Sequence, residues 1–226
     1  MRAETKERPI LFSGGMVRAI LDGRKTQTRR VIKPQPTEFG LVWRTACDGE
    51  FGAWEDDGLL LDEGKQRTCP YGQPGDRLYV RETWKTGKRL DHLSPLGIEQ
   101  AARDAFWTAG PFCPLWYPAD DSYRRWGDND ENNFGCPGKV RSSIHMPRWA
   151  SRILLEITDV RAERLQDISE RDAEKEGYKR IPVAGWEYQG MQTAAESFLH
   201  GEWAQAIQEK HGNPWVWVIE FKRVKP

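Results

Sequence analysis

The 226-residue sequence has no net charge, few cysteines and no long apolar segment. Its 34 lysines and arginines are balanced by 34 acids, whereas proteins that bind duplex nucleic acid mainly through phosphates usually carry a domain-wide basic excess. Four cysteines are too few for a disulfide framework in a chain of this length. No run approaches the ~20 apolar residues of a membrane-spanning helix, and the N-terminus lacks a signal-peptide apolar region. We therefore expect a cytoplasmic protein with reduced thiols and no membrane partner.

Positive charge is nevertheless concentrated near the N-terminus. Residues 1–33 contain nine lysines and arginines but three acids. Within them, the segment DGRKTQTRR places two threonines among four cations. The chain also has eleven tryptophans, and flat side chains of this kind pack irregular backbone or stack on bases. A local site for an anion or a base is therefore compatible with a neutral chain.

The sequence pattern predicts two halves of a single domain, at 8–33 and 146–226, separated by a long insertion at 34–145. In the first half, PILF predicts a short strand, and Ser13 and Gly23 are typical of the start and the end of a short helix. The segment KTQTRRVI then predicts an extended strand. In the insertion, GQPGDRLYVRE predicts a turn and a strand, while the segment at 110–139 lacks periodicity and predicts a long loop.

The second half predicts more regular structure. Alternating apolar residues at 150–165 predict a strand with a bend after Thr158. The segment DISERDAEKEGY predicts a short helix, with a cap formed by Ser169 and Asp172 and an end at Gly177. The segment at 194–212 predicts one longer amphipathic helix, and NPWVWVIEFKRV predicts a closing strand.

Three of these segments together, GRKTQTRR, ISERDAEKEG and WVWVIEFKRV, resemble the ASCH domain of the PUA-like superfamily. The family is a small β-barrel with flanking helices, associated with RNA and modified-nucleoside chemistry. The resemblance implies an α+β fold, a PUA-like β-barrel with flanking short helices, here with a long irregular insertion. Over its full length the chain is also similar to phage and prophage ASCH proteins, which share CPYGQPGDRL, IHMPRWASRI and NPWVWVIEF.

The family signature, Gly-x-Lys followed by a short polar stretch and Arg, falls on Gly23, Lys25 and Arg30. The commonest form has Glu where this chain has Thr28, and Thr at that place resembles the bacterial N4-acetylcytidine amidohydrolases of the same family. This resemblance implies that Lys25 is a general base, Thr28 a nucleophile and Glu176 a proton donor. It implies as substrate an N-acylated pyrimidine nucleoside such as N4-acetylcytidine, and no cofactor.

The chemistry of these residues sets two conditions. A threonine hydroxyl needs a base within hydrogen-bond reach, and Lys25 is a base only when neutral; lowering a lysine pKa from ~10.4 to ~7.5 costs about 4 kcal/mol. Burial and the neighbouring arginines act in that direction. Because Lys25 and Thr28 lie three residues apart, the mechanism also requires a turn at 24–27. The competing interpretation is that Lys25 and Arg30 pair with Glu176 as an ordinary ion-pair cluster.

Further polar and aromatic residues are candidates for substrate binding: Arg24, Thr26, Arg30, Tyr79 and Arg81. Arg30 would orient a carbonyl or phosphate oxygen. Tyr79 and Arg81 are predicted to share one strand face, opposite to Leu78 and Val80, where the aromatic ring would stack on a base. The alternative for these two residues is a solvated strand face.

Two other functions compete with hydrolysis. In the first, the chain is a non-catalytic module that binds single-stranded RNA or a modified base. In the second, a phage accessory protein uses the barrel only as a scaffold. The KTQT sequence favours the enzyme, because a protein that only binds its ligand does not need a threonine at position 28. Cys69, Cys136 and His145 suggest zinc, but no C-x₂-C pair is present, so we predict unmetallated thiols.

Overall fold

A computed structural model describes residues 5–35, 42–43, 60–62, 65–104, 113–126, 136–179, 181–183 and 190–225. The strands are β1 (Glu7–Leu11), β2 (Gln27–Val31), β3 (Val42–Trp43), β4 (Leu60–Asp62), β5 (Lys65–Arg67), β6 (Arg77–Arg81), β7 (Cys113–Tyr117), β8 (Ser122–Trp126), β9 (Leu154–Arg164), β10 (Ile181–Val183), β11 (Gly190–Gln192) and β12 (Trp215–Val224). The helices are α1 (Gly14–Leu21), α2 (Pro95–Asp104), α3 (Glu170–Lys175), α4 (Ala194–Leu199) and α5 (Glu202–His211).

The largest sheet has five strands in the order β1-β6-β9-β12-β2. β12 and β2 are antiparallel, with Val216 opposite Val31 and Glu220 opposite Gln27. The smaller sheets are β10-β11, β3-β4-β5 and β7-β8. This mixture of a principal sheet with short helices confirms the predicted α+β class.

The chain divides into two compact units. The first comprises Met1–Glu7, Ala19–Arg77 and Leu155–Arg223, and the second comprises Arg8–Arg18, Leu78–Leu154 and Val224–Pro226. In the first unit, Val216 and Val218 of β12 pack with Ala173 of α3 and Phe198 of α4. In the second, Trp84, Ile98, Leu115 and Tyr117 form a separate buried cluster. Each unit therefore has its own apolar core.

The structure agrees with the sequence where a prediction concerns a single helix or strand. α1 ends at Leu21, and Gly23 adopts a φ of 74°. In β6, Leu78 and Val80 are buried and Tyr79 and Arg81 are half-buried, as the alternating pattern predicts. β6 lies inside the predicted insertion, yet it is an internal strand of the five-stranded sheet.

The single long helix predicted at 194–212 is wrong, because α4 and α5 are separate helices. The break is at Gly201, whose extended backbone (φ −68°, ψ 145°) forms the N-cap of α5. A Cβ atom at Gly201 would lie 3.0 Å from the Tyr178 hydroxyl oxygen and 3.1 Å from the Phe198 carbonyl oxygen. The apolar pattern of a helix continues through Gly201 in the sequence, so the sequence alone does not show the break. The contacts of Gly201 with Tyr178 and Phe198 arise only from tertiary packing.

One further expectation about local structure is wrong. β7 and β8 pair as an antiparallel hairpin within the predicted loop at 110–139, from Cys113–Trp126 to Tyr117–Ser122. Four of the five β7 residues are buried, so the strand lacks the alternation that would reveal it. β9 runs from Leu154 to Arg164, and its buried positions change from Leu155 and Ile157 before Thr158 to Val160 and Ala162 after it, at the place where the sequence predicts a bend. In the described part of the chain, no helix has the length and apolar character needed to cross a membrane.

Candidate functional site

The segment between α1 and β2 is bound to the C-terminal end of α3. Three consecutive residues donate hydrogen bonds to three consecutive carbonyl oxygens: Arg24 Nη1 to Gly177 (3.3 Å), Lys25 Nζ to Glu176 (3.1 Å) and the Thr26 amide to Lys175 (2.8 Å). The last carbonyl groups of a helix have no partner inside the helix and carry partial negative charge. Two cationic side chains and one backbone amide therefore satisfy this helix end.

Lys25 and Glu176 are in direct contact, although 151 residues separate them in the sequence. Lys25 Nζ lies 2.5 Å from Glu176 Oε2, and the two side chains are only 1% and 4% exposed. Glu176 is positioned by the C-terminal end of α3, where Gly177 takes up the left-handed backbone conformation (φ 97°) that ends the helix. The structure thus brings together two of the three residues predicted to act in catalysis.

Burial lowers the pKa of the Lys25 amine below its ordinary value of 10.5, because the charged form loses its hydration. Glu176 opposes this effect through its charge and its hydrogen bond, while Arg30 and Arg29 lower the Lys25 pKa further. A lysine that acts as a general base needs a lowered pKa of this kind, because only its neutral amine accepts a proton.

Arg29 is a central residue of the site that sequence reasoning missed. Its buried guanidinium lies 3.4 Å from Glu176 Oε1 and 2.9 Å from Glu163 Oε2, and its Cζ lies 5.8 Å from the centroid of the Phe198 ring. Arg29 therefore joins Lys25 beside Glu176, and the ion-pair interpretation did not include it. The alternation of side chains along a strand could have pointed to Arg29, because it places Gln27 and Arg29 together on one face of β2.

An extended ion-pair network continues from Arg29. Asp172 Oδ2 lies 3.5 Å from Arg29 Nη2, and Asp172 Oδ1 lies 3.2 Å from Arg161 Nη2. Arg161 also binds Glu163 and Glu220, at 2.6 and 2.8 Å. The Lys25–Glu176 contact is consequently one end of a larger set of paired charges on β2, β9, β12 and α3.

Thr28 is buried (2% exposed) in the middle of β2, opposite Ile219 of β12. Because side chains alternate along a strand, Thr28 shares its face with Arg30, while Arg29 points to the other face. The turn predicted at 24–27 is not found there: the turn lies at residues 22–23, residues 24–26 have no regular structure, and Gln27 already belongs to β2. Thr28 therefore lies within the strand, on the face of Arg30.

A cavity of about 550 Å³ lies beside this strand. The residues that line it come from β2 and the two residues after it, from the segment before β6, from α5 and from β12: Arg30, Val31, Ile32, Lys33, Thr68, Pro70, Tyr71, Trp203, Ile207 and Trp217. Of the predicted site residues, Arg30 alone is among these described lining residues. Its charge also acts on both Lys25 and Glu176. Arg30 is therefore common to the cavity and to the electrostatic environment of the buried pair.

Tyr79 and Arg81 belong to the second unit and contact other residues there. The Cζ atoms of Arg81 and Arg148 lie 5.6 and 5.4 Å from the centroid of the Tyr79 ring. Arg81 Nη1 also donates to the Ile144 carbonyl oxygen at 3.2 Å. The two residues are thus near each other, and neither is among the described residues that line the cavity.

The residues considered for zinc do not form a cluster among the described positions. Cys69 is buried, whereas Cys136 and His145 are exposed. Within the described ranges there is no group of three or more histidine, cysteine, aspartate or glutamate residues that could hold a metal ion.

Comparisons of the chain with protein-family models, with curated proteins and with solved structures found no match.

Proposed function

We propose that this chain is an amidohydrolase of the PUA-like ASCH class, acting on an N-acylated pyrimidine nucleoside such as N4-acetylcytidine. The observation that supports this best is the buried contact between Lys25 and Glu176, at 2.5 Å. The resemblance of the GRKT segment and the α3 sequence to that family implies catalytic roles for these two residues together with Thr28. In this proposal, the five-stranded sheet is part of the family's β-barrel.

The contact supplies a base and an acid in one step. Burying two full charges is costly, and transfer of the shared proton from the Lys25 amine to the Glu176 carboxylate removes both charges. The pair then consists of a neutral amine and a protonated carboxyl group. Neutral Lys25 is the base that the Thr28 hydroxyl needs, and protonated Glu176 is the donor that a leaving amine needs.

The reaction follows in two stages. Lys25 takes the proton of the Thr28 hydroxyl, the Thr28 oxygen bonds to the acyl carbon, and the carbon–nitrogen bond of the substrate breaks as Glu176 protonates the leaving amine. A water molecule then gives a proton to the Glu176 carboxylate and bonds to the acyl carbon. The ester bond to Thr28 breaks as the Lys25 ammonium returns a proton to the Thr28 oxygen, and the acyl group leaves as a carboxylic acid. The products are the free nucleoside amine and the acid, and the side chains return to their starting protonation states.

Incubation of the purified protein with N4-acetylcytidine and related N-acylated nucleosides, followed by chromatography, tests the proposal. We expect release of the free nucleoside by the wild type and a loss of about 10²–10⁴-fold in rate for Lys25→Ala and Glu176→Ala. Lys25→Arg and Glu176→Gln are more conservative versions, since they keep a side chain of similar size in place.

An exposed lysine–glutamate pair provides the matched control. Lys222 Nζ lies 2.7 Å from Glu156 Oε1, and these side chains are 60% and 30% exposed. Lys222→Ala and Glu156→Ala should retain the wild-type rate. If the wild type leaves a broad panel of acylated nucleosides intact, or if the Lys25 and Glu176 variants keep full activity, the enzyme proposal is wrong.

The cavity favours a second candidate, a module that binds RNA or a modified base without turnover. Its walls combine Arg30 and Lys33 with Tyr71, Trp203 and Trp217, and aromatic rings with cations are the side chains that bind bases and phosphates. Titration with short single-stranded RNA at several salt concentrations tests this candidate. Absence of binding even at low ionic strength would exclude it.

A further inference from the structure

We infer that the cavity beside β2 binds a pyrimidine nucleoside 5′-monophosphate, with Arg30 and Lys33 contacting the phosphate and Tyr71 and Trp203 contacting the base. The inference rests on the proposed function and names its substrate more closely: the acylated nucleotide, not the free nucleoside. The inference concerns the binding of the nucleotide, so a binding measurement tests it independently of the hydrolysis assay.

The cavity has the charge of a phosphate site. Arg30 and Lys33 both line it, and none of the described lining residues is acidic. A phosphate monoester carries a charge of about −1.5 to −2 at pH 7, which two cations would balance. Arginine suits this task because its planar guanidinium binds two phosphate oxygens at once. Free cytidine is uncharged and would make no ionic contact with either cation.

The two cations differ in their surroundings. Arg30 is half-buried and lies opposite Trp217 in the β2–β12 pairing, whereas Lys33 is exposed. Burial lowers the pKa of the Arg30 guanidinium, and the charges of Tyr71 and Glu176 oppose this. A partly desolvated guanidinium binds an anion more strongly than a fully hydrated one does, because less water must be displaced. Arg30 is therefore the principal phosphate contact, and Lys33 is the exposed one.

The aromatic lining suits a base. Trp203 and Ile207 lie four residues apart on α5, so they share one face of that helix. Trp203 packs on Phe198, with ring centroids 5.9 Å apart, and is half-buried. Tyr71 is also half-buried, so both rings keep area for a ligand. Trp217 is 2% exposed, so it offers a ligand little area.

The size of the cavity also indicates a small ligand. Pockets that enclose a single small molecule measure roughly 300–1,000 Å³, and this cavity measures about 550 Å³. A mononucleotide fits this range and presents one aromatic ring and one phosphate. Its chemistry therefore matches the two kinds of side chain in the cavity wall.

Isothermal titration of the full-length protein at low ionic strength with three probes tests the inference. The probes are cytidine 5′-monophosphate, cytidine and inorganic phosphate. We expect the nucleotide to bind about tenfold or more tightly than either of the others. In Arg30→Gln/Lys33→Gln, nucleotide affinity should fall to that of cytidine, while Trp203→Leu should weaken the nucleotide and cytidine alike.

The matched control for charge is Arg103→Gln/Lys222→Gln, which also removes two positive charges and changes exposed side chains. It should bind the nucleotide as the wild type does. Equal affinity for cytidine and its 5′-monophosphate would overturn the inference, and so would full nucleotide affinity in a folded Arg30→Gln/Lys33→Gln variant. Thermal melting establishes that each variant is folded.

The inference and the proposed function fail in different ways. If acylated nucleosides and nucleotides both remain intact while the nucleotide still binds preferentially, hydrolysis is wrong and the binding site stands. If N4-acetylcytidine and its 5′-monophosphate are hydrolysed with the same KM, and the Arg30→Gln/Lys33→Gln variant behaves like the wild type, hydrolysis stands and the phosphate site is wrong.

Discussion

The amine of Lys25 and the carboxylate of Glu176 are both almost fully buried, which is costly for charged groups. Removing an ion from water costs several kcal/mol even after relaxation of the protein. Here the cost is offset by a 2.5 Å contact between the two groups, by the Glu176 carbonyl oxygen and by Arg29 at 3.4 Å. The pair is therefore stable only while both partners are present.

A double-mutant cycle measures how far the stability contributed by Lys25 depends on Glu176, and the reverse. We expect Lys25→Met or Glu176→Gln alone to lower the free energy of unfolding by about 3–5 kcal/mol, because each leaves a buried group without its main partner. The double variant should lose clearly less than the sum of the two single losses. Urea denaturation of the four proteins gives the values, and strict additivity would show that the contact is not energetically coupled.

The lowered pKa of Lys25 predicts the pH dependence of both rate and stability. In the proposed mechanism Lys25 and Glu176 share one proton that Glu176 delivers to the leaving amine, so the hydrolysis rate should fall once the pH exceeds the lowered pKa of Lys25 and the pair loses that proton. Between the folded-state pKa of Lys25 and 10.5, the unfolded chain holds more protons at this position than the folded one. The contribution of Lys25 to the free energy of unfolding therefore rises with pH across this window.

Rate–pH profiles, and urea denaturation of the wild type and Lys25→Met at several alkaline pH values, check these expectations. A rate that is flat with pH, or a difference in unfolding free energy between the two proteins that does not change with pH, would contradict them.

At the scale of elements, the site depends on how α3 ends. The helix has six residues, too few to be stable alone, and its last carbonyl groups bind the segment at 24–26. The sequence predicted the cap at Ser169 and the end at Gly177 because both signals are local. The hydrogen bonds between 24–26 and 175–177 are non-local, and the residue pattern does not encode them. Only the family resemblance suggested that Lys25 and Glu176 meet.

Two glycines with positive φ test the importance of this helix end. Gly177 has a φ of 97°, and a Cβ atom there would lie 3.3 Å from Ala19 Cβ and 3.5 Å from Lys25 Cβ. Gly23 has a φ of 74°, with nothing within 4 Å of the added atom. We expect Gly23→Ala to cost about 1–2 kcal/mol through backbone strain alone.

Gly177→Ala should cost more than Gly23→Ala, because the close approach to Ala19 Cβ, at 3.3 Å, adds to the strain. It should also reduce activity, since the strain falls on the residue directly after Glu176. Thermal or urea unfolding and the nucleoside assay supply the measurements. Equal losses of stability in the two variants would show that packing at Gly177 is unimportant.

At the scale of the whole molecule, the sequence predicted the α+β class and several elements but not their assembly. β6 lies in the range taken as an insertion because the resemblance covers only the flanking segments, yet β6 lies between β1 and β9 in the sheet. Arg29 escaped prediction because a buried arginine is recognised by the acids around it, which here are Glu163, Asp172 and Glu176. Those acids come from β9 and from α3 and its C-cap, far away from Arg29 in the sequence.

The balance of charge over the chain limits its binding to nucleic acid. With 34 cationic and 34 anionic side chains, the protein has no excess charge with which to hold a long phosphate backbone. We expect single-stranded RNA to bind only at low salt and to dissociate at about 150 mM, where the Debye length is ~8 Å. Mobility-shift titrations across salt concentrations measure this. Tight binding at physiological salt would contradict the account and favour the RNA-binding alternative.

In the proposed mechanism, the hydroxyl of Thr28 is the nucleophile, Lys25 is its base and Glu176 is the proton donor. The most direct test compares Thr28→Ser, which keeps a hydroxyl, with Thr28→Val, which keeps the shape of the buried side chain and removes the hydroxyl. With N4-acetylcytidine as substrate, we expect Thr28→Ser to retain measurable turnover and Thr28→Val to lose roughly 100-fold or more while remaining folded. A folded Thr28→Val protein that releases cytidine at the wild-type rate would contradict the account.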